Sequence, residues 1–262
     1  MAGGPNLNTA SLQIMWQSQP TDKRNEHCHM QRLEDLIQQH PDDAHAIGAP
    51  GREWMTYADL KVLTKAVRQS LRGAGIGASD RVAIVLPNGP EMAAAFVTVA
   101  QSATTAPLNP AYKEDEFAFY LEDLKARAII VEAGYNGPAR AAADRFGMTV
   151  IELTATEPAG TFTLSTDAKG DAADTVPAAD DVALILHTSG TTSRPKIVPL
   201  LQSNVAASAE NIRVSLALTP EDCCLNVMPL FHIHGLIAAV SASLAAGASI
   251  SCAPGFDALR FY

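Results

Sequence analysis

The chain has 262 residues, of which 47% are apolar and 18% charged, and its net charge is −9. This length allows one large core or two modest ones, and the composition is ordinary for a globular protein. Lysine and arginine nowhere cluster, which disfavours nucleic acid as a partner, whereas a small anion needs only a local basic site.

Residues 1–29 are polar, show no sustained period and are predicted to form a loosely ordered arm. A helix is predicted next, because apolar residues recur at helical spacing before Pro41, namely Met30, Leu33, Leu36 and Ile37. A second helix is predicted after Thr56, whose hydroxyl can cap it together with Asp59. Its buried stripe consists of Leu60, Leu63, Val67 and Leu71.

Strand and helix patterns then alternate as far as residue 153. Buried strands are predicted at 81–86, 128–131 and 149–153. Helices are predicted at 91–102, 113–124 and 138–146. This alternation indicates an α/β fold with mainly parallel sheets covered by helices on both faces.

The alternation breaks at residues 154–181, which contain six acidic residues and one lysine and little apolar content. We predict a solvated acidic connection there, between a first α/β subregion at 30–153 and a second at 182–262. In the second subregion, strands are predicted at 182–187, 196–201, 224–228 and 248–252. Helices are predicted at 204–216, capped by Ser203, and at 235–246.

The stretch HTSGTTSRPK, residues 187–196, separates two of these strands. A loop that leaves a parallel strand lies at the carboxyl edge of the sheet, where α/β proteins bind ligands. Gly190 allows close backbone approach, the hydroxyls add donors and Lys196 adds a positive charge, so the loop can bind phosphate. A mobile hydroxyl-rich hinge without a ligand is the alternative. The spacing and Pro195 do not match a Walker A loop.

The whole stretch resembles the Thr-Ser-Gly-Thr-Thr-Gly-x-Pro-Lys signature of the AMP-forming acyl-CoA synthetase superfamily, whose members adenylate carboxylates. Residues 228–236, MPLFHIHGL, resemble that family's Pro-x-x-His-x-x-Gly-Leu segment. Shorter matches lie at 56–60, 80–84, 86–88 and 107–110, so the resemblance runs from about Thr56 to the end of the chain.

The resemblance implies the large N-terminal domain of an adenylate-forming enzyme, incomplete here, which joins a carboxylic acid to CoA with ATP and Mg²⁺. It implies that the loop binds the ATP phosphates through Thr188, Ser189, Gly190, Thr191, Thr192 and Lys196. Magnesium would be held mainly by phosphate oxygens, and no protein metal site is expected.

His232 and His234 flank Ile233, and in an extended segment both side chains would point to one side. The resemblance implies that His232 lies where the carboxylate meets the α-phosphate, so that His232 and Lys196 are the expected catalytic residues. It also implies that His234 lines the acyl pocket. Two structural histidines, or a His-x-His metal pair near Cys223 and Cys224, are the alternatives.

Ser193 stands where most of the superfamily has glycine. Together with the PLFHIHGL segment it resembles the oxalate–CoA ligase branch, which implies a small dicarboxylate such as oxalate as the acid. The family pattern continues past Tyr262 and would include a small C-terminal domain, so we expect an N-terminal fragment that is inactive alone. A non-catalytic remnant that binds nucleotide or a partner is the alternative, and so is a scaffold with a mobile hinge.

The four cysteines, Cys28, Cys223, Cys224 and Cys252, form no CxxC pair, and we see no secretory signal. Reduced thiols and a cytoplasmic protein are therefore expected. The uncharged segment at 233–256 is rich in small residues and interrupted by Gly247 and Pro254, so a buried helix and strand are expected instead of a membrane span. A homodimer is left open.

Overall fold

Two β-sheets organise the chain in the computed structural model, which describes residues 31–188 and 195–259. The predicted arm at 1–29 lies outside this part. The strands are β1 (His45–Gly48), β2 (Met55–Thr56), β3 (Arg81–Val85), β4 (Thr104–Pro107), β5 (Ala128–Glu132), β6 (Thr149–Ala155), β7 (Phe162–Ser165), β8 (Val182–Thr188), β9 (Lys196–Leu201), β10 (Cys223–Asn226) and β11 (Ser249–Cys252). The helices are α1 (Asp35–Gln38), α2 (Tyr57–Gly73), α3 (Pro90–Ala100), α4 (Glu114–Leu124), α5 (Pro138–Arg145), α6 (Gln202–Leu216) and α7 (Ala242–Ala246), with a π-helix at His234–Ser241.

The larger sheet has seven strands in the order β7-β6-β5-β3-β4-β8-β9. The five strands from β6 to β8 are parallel to one another, and the edge strands β7 and β9 are antiparallel to their neighbours. The mainly parallel α/β fold is thus confirmed. Because the central strands are parallel, their carboxyl ends meet along one edge, which is where α/β proteins bind ligands.

Helices cover both faces of this sheet. On one face, apolar residues of α4 and α5, such as Phe117 and Ala142, pack against Ala83 and Ile185. On the other face, residues of α2, α3 and α6 pack against Ile84 and Leu184. The alternation of inward positions along each strand follows from the period of two in an extended chain.

The smaller sheet has the order β10-β11-β1-β2 and joins distant parts of the sequence. Ile47 of β1 lies opposite Ile250 of β11 in parallel register. Helix α3 contacts strands of both sheets, and its residues are buried apart from Glu91, which is partly buried. The small side chains of Ala93, Ala94 and Ala95 allow both sheets to approach this helix closely.

The capping box at the start of α2 is confirmed. The Thr56 hydroxyl accepts from the Asp59 N–H at 3.2 Å, and the Asp59 carboxylate accepts from the Thr56 N–H at 2.9 Å. The predicted Ser203 cap is wrong, because α6 begins at Gln202 with Leu201 as its N-cap. There, the N–H groups of Gln202 and Ser203 donate to backbone carbonyls of residues 181 and 179 instead.

The predicted acidic connection at 154–181 contains β7, which pairs antiparallel with β6. Strands from both sides of this connection take part in each sheet. The polar residues of this connection contact the C-terminal end of α2, where the Arg72 guanidinium forms an ion pair with Asp174 at 3.1 Å. The Arg72 carbonyl also accepts from the Ala172 N–H at 3.2 Å.

Candidate functional site

Thr188 and Lys196 form the base of the hydroxyl-rich loop. They are the last residue of β8 and the first of β9, and they lie opposite each other in the antiparallel hairpin. Residues opposite each other in such a pair point to the same face of the sheet. Both are exposed. The predicted cation and the first predicted hydroxyl are therefore neighbours at the carboxyl end of β8.

The other predicted phosphate-binding residues lie outside the described part of the chain. These are Ser189, Gly190, Thr191 and Thr192, and the same holds for Ser193 and Arg194. Within residues 31–188 and 195–259, no carboxylate forms an ion pair with Lys196. By contrast, the Arg52 guanidinium is bound to Glu91 at 2.6 Å and to Glu157 at 3.0 Å. Among the described residues next to the loop, Lys196 is thus a cation that remains available to an anion.

His187 precedes the loop and points to the opposite face of the sheet from Thr188, next to α4. Its Nε2 lies 3.2 Å from the Asp123 carboxylate, and its ring makes an edge contact with Tyr120 at 4.7 Å between centroids. Burial lowers the pKa of His187, and the hydrogen bond to Asp123 opposes this shift. These contacts indicate a structural role for His187.

The histidine segment, residues 228–236, is not extended at Ile233. The expected common orientation of His232 and His234 is therefore wrong. Ile233 has helical dihedral angles, φ −53° and ψ −36°, and the π-helix begins at His234. In helical conformation, residues two apart do not face each other. Both histidines are exposed, and the His232 ring lies 4.5 Å from the Phe231 ring between centroids.

A tight turn determines the backbone position of His232. Its N–H donates to the Pro229 carbonyl at 3.2 Å, and its carbonyl accepts from the Leu236 N–H at 3.2 Å. A Cβ on Gly235 would lie 2.7 Å from the Pro229 carbonyl oxygen, closer than real Cβ contacts allow. The glycine of the motif is therefore required by the close approach of the helix start to this turn.

The helix predicted at 235–246 begins as a π-helix and continues as α7. Ser241 is fully buried, and its hydroxyl donates to the Leu236 carbonyl at 2.8 Å. This bond gives a partner to a carbonyl in the wider helical turn. Short π-helical segments occur frequently at functional sites. Here the segment directly follows the two candidate histidines.

Asn88, which sequence reasoning did not single out, joins the histidine segment to the larger sheet. It follows β3, and its Oδ1 accepts from the Leu230 N–H at 2.9 Å. Its Nδ2 donates to the Ala253 carbonyl at 2.8 Å, directly after β11. The only signal in the sequence is the Leu86-Pro87-Asn88 match, which does not reveal these partners.

The carboxyl ends of β3 and β8 lie at the same edge of the larger sheet, separated only by β4. The registers pair Ile84 with Pro107 and Thr105 with Leu184, so Leu86 is about level with Thr188. Two inter-strand spacings amount to roughly 10 Å. The structure therefore brings the loop base and the Asn88-bound histidine segment to one edge.

The residues described contain no group of three or more His, Cys, Asp or Glu side chains arranged to hold a metal ion. The His-x-His metal alternative has no third ligand within this part of the chain. The described helices also include none that is long and apolar enough to cross a membrane. The uncharged segment at 233–256 forms instead the π-helix, α7 and β11.

Comparisons with known proteins agree with this architecture. The chain is 39% identical over 238 residues to the oxalate–CoA ligase of Arabidopsis thaliana, covering 88% of this chain and 46% of that protein. It is 38% identical over 211 residues to the oxalate–CoA ligase of Saccharomyces cerevisiae, covering 70% and 38% respectively. The crystal structure of apo MatB from Rhodopseudomonas palustris matches with a TM-score of 0.73 at 27% identity.

That structural match covers 87% of this chain and 46% of MatB, so the chain spans about half the length of the relatives it matches. The family described as AMP-binding enzyme matches residues 33–261. This range includes both sheets, the hydroxyl-rich loop and the histidine segment. The chain belongs to the AMP-binding enzyme family.

Proposed function

We propose that this chain carries the ATP phosphate-binding part of an AMP-forming acid–thiol ligase. The observation that carries the proposal is the position of Lys196 opposite Thr188 at the base of the loop. An exposed lysine without a carboxylate partner among the described residues suits an anionic ligand. A hydrogen bond between a charged lysine and a phosphate contributes about 1.5–3 kcal/mol.

The residues fit ATP better than they fit a protein-bound metal. Thr188, Ser189, Gly190, Thr191, Thr192 and Lys196 would bind the β- and γ-phosphates, which leave as pyrophosphate. The described residues include no cluster that holds a metal ion, so magnesium would enter with the phosphates and be held mainly by their oxygens. Magnesium would neutralise phosphate charge there.

The reaction would proceed in two displacements. A carboxylate oxygen of the acid attacks the α-phosphorus of ATP, and the bond to the bridging oxygen of pyrophosphate breaks. The sulfur of CoA then attacks the acyl carbon, the thiol proton is lost, and AMP leaves. Lys196 would offset charge on the departing phosphate, and His232 would orient the carboxylate near the α-phosphate.

For the acid, we propose a short dicarboxylate, with oxalate first. Two relatives at 38–39% identity are named oxalate–CoA ligases. A second carboxylate needs a polar or cationic neighbour in the acyl pocket, and a histidine can provide one. His234 is the residue proposed for that role. Aromatic acids are the next class, because 4-coumarate–CoA ligases match at 28–31% identity.

The proposal assigns the chain to the cytoplasm, where ATP and CoA are available and thiols are reduced. We retain the predicted division of the chain. It consists of an arm at 1–29, subregions at 30–153 and 182–262, and a connection at 154–181. Partners are then the acid, ATP and CoA, and a homodimer is still an untested alternative.

The phosphate part is testable on this chain by calorimetric titration with MgATP and with magnesium pyrophosphate. Saturable binding of both ligands is expected, and binding of neither at millimolar concentration would contradict the proposal.

The acid step is tested by ATP–pyrophosphate exchange with oxalate, another short dicarboxylate, 4-coumarate and a medium-chain acid. We expect little exchange by the chain alone, and oxalate-dependent exchange after fusion to the second half of the Arabidopsis relative. Binding without exchange in the fusion would favour a nucleotide-binding protein without catalysis.

A further inference from the structure

Asn88 makes two hydrogen bonds that connect three separate parts of the fold. It lies between β3 and α3, and its amide reaches Leu230 on one side and Ala253 on the other. The orientation of the amide follows from these partners, because only the oxygen can accept from the Leu230 N–H and only the nitrogen can donate to the Ala253 carbonyl. Both functional groups of the side chain are therefore used.

The bond to Leu230 matters because the N–H group that it satisfies is shielded from water. Leu230 is 1% exposed, so its N–H has little access to solvent if Asn88 is removed. A buried donor without a partner is costly, and the segment would have to move to satisfy it. A second asparagine, Asn226, binds both backbone groups of Met228 but belongs to the same segment, at the end of β10. Asn88 thus provides the polar connection from the larger sheet.

The connection continues to the candidate histidine. Leu230 lies next to Pro229, whose carbonyl accepts from the His232 N–H. The start of the π-helix at Gly235 packs directly on the same carbonyl. A shift of Leu230 would therefore shift the turn that carries the His232 side chain.

We infer that Asn88 is a positioning residue for His232, which it holds at the carboxyl edge of the larger sheet, the edge where the Thr188–Lys196 loop begins. The inference rests on the proposed function for the catalytic role of His232. The positioning of His232 by Asn88 is independent of that function. Asparagine is suited to the position because one planar amide offers both an acceptor and a donor. Aspartate offers only acceptors, and leucine, of similar size, offers neither.

The test uses the nucleotide-free chain with ¹³C-labelled histidine rings and ¹⁵N-labelled backbone amides. In Asn88→Leu, we expect the His232 ring signal to shift and the Leu230 amide to exchange about tenfold faster with solvent hydrogen. The His187 signal should stay in place, because that ring packs against Asp123 and Tyr120 on the other face. His232→Gln assigns the signal, and Asn211→Leu on the exposed side of α6 serves as the matched control.

Asn88→Asp provides a milder variant that keeps the acceptor for Leu230 and loses the donor to Ala253. Slow Leu230 exchange should then persist, while the His232 ring signal moves less than in Asn88→Leu. If the His232 signal of Asn88→Leu coincides with that of the original chain, the inference is wrong. Equal shifts of His187 and His232 would also contradict it, because they indicate general destabilisation. MgATP is added last, and a lack of response in the unsubstituted chain counts against the proposed function alone.

Discussion

Lys196 lies directly opposite Thr188 at the open end of the β8–β9 hairpin, and both side chains are exposed. The hydroxyl-rich residues between them therefore leave and return at one point of the carboxyl edge. This arrangement places a cation beside a hydroxyl group at the base of the loop. It also makes Lys196 the most direct residue to test.

Replacing Lys196 with alanine is expected to weaken binding of magnesium pyrophosphate by about tenfold to a hundredfold, the equivalent of one charged hydrogen bond. In a fusion that catalyses exchange, we expect a loss of about a hundredfold in rate. Calorimetric titration measures the first effect and pyrophosphate exchange the second. Lys65→Ala, an exposed lysine on α2, is the matched control. Unchanged affinity in Lys196→Ala would remove this residue from the phosphate site.

Gly235→Ala is expected to destabilise the fold by about 1–3 kcal/mol, because the added Cβ would lie 2.7 Å from the Pro229 carbonyl oxygen. Urea unfolding followed by circular dichroism measures this loss. Gly255→Ala is the control, since no heavy atom lies within 4 Å of the position a Cβ would take there. Equal unfolding midpoints in the two variants would show that the turn tolerates the methyl group.

The stability of the chain is expected to fall as the pH decreases below 6.5, the ordinary pKa of histidine. Burial lowers the pKa of His187, so the unfolded state binds its proton more readily than the folded state does. The stabilising contribution is present above pH 6.5 and is lost as the pH falls through the folded-state pKa. Burial also lowers the pKa of His40, which adds to the same trend.

His187→Gln should therefore reduce the slope of stability against pH without abolishing it. A glutamine retains a donor for Asp123 but does not titrate, and His40 still contributes. The measurement is the urea unfolding midpoint at several pH values between 5 and 8. An unchanged slope would mean that His187 takes no part in this dependence.

The cysteines are expected to react with iodoacetamide in an order determined by exposure and pKa. Cys223 is exposed, whereas burial raises the pKa of Cys224 and raises that of Cys252 to about 12. Because the thiolate is the reactive form, Cys252 should react at least about a hundredfold more slowly than Cys223. Mass spectrometry of the labelled peptides at pH 8 gives the rates, with urea-unfolded chain as the control. Comparable rates for Cys223 and Cys252 in the folded chain would contradict the buried position of β11.

Local patterns were sufficient for much of the fold. The strands and helices predicted over 81–153 and the capping box at Thr56 are confirmed because each depends on neighbours within a few residues. The same holds for the location of the hydroxyl-rich stretch between two strands. The short strand β4, which also lies within 81–153, was not predicted. The family followed from two motifs, because the order of residue types in them is long and specific.

Predictions about orientation and caps were less successful. The sequence around Ile233 is compatible with an extended segment, but Gly235 permits the close turn on Pro229 that makes it helical. The Ser203 hydroxyl was expected to cap α6, yet backbone carbonyls just before β8 satisfy the first N–H groups. The first error comes from considering His232 and His234 without the flanking Pro229 and Gly235. The second arises because the carbonyl partners of α6 lie in another part of the chain.

By itself, the sequence determined the family, the α/β class and the residues that begin and end the candidate phosphate loop, because short-range periods and motifs encode them. Only the tertiary structure decided that β1 pairs with β11, some 200 residues later, and that Asn88 binds Leu230 and Ala253. These contacts join residues far apart in the chain, and no local period records such a partner. The connection from Asn88 to His232 therefore follows from the tertiary structure alone.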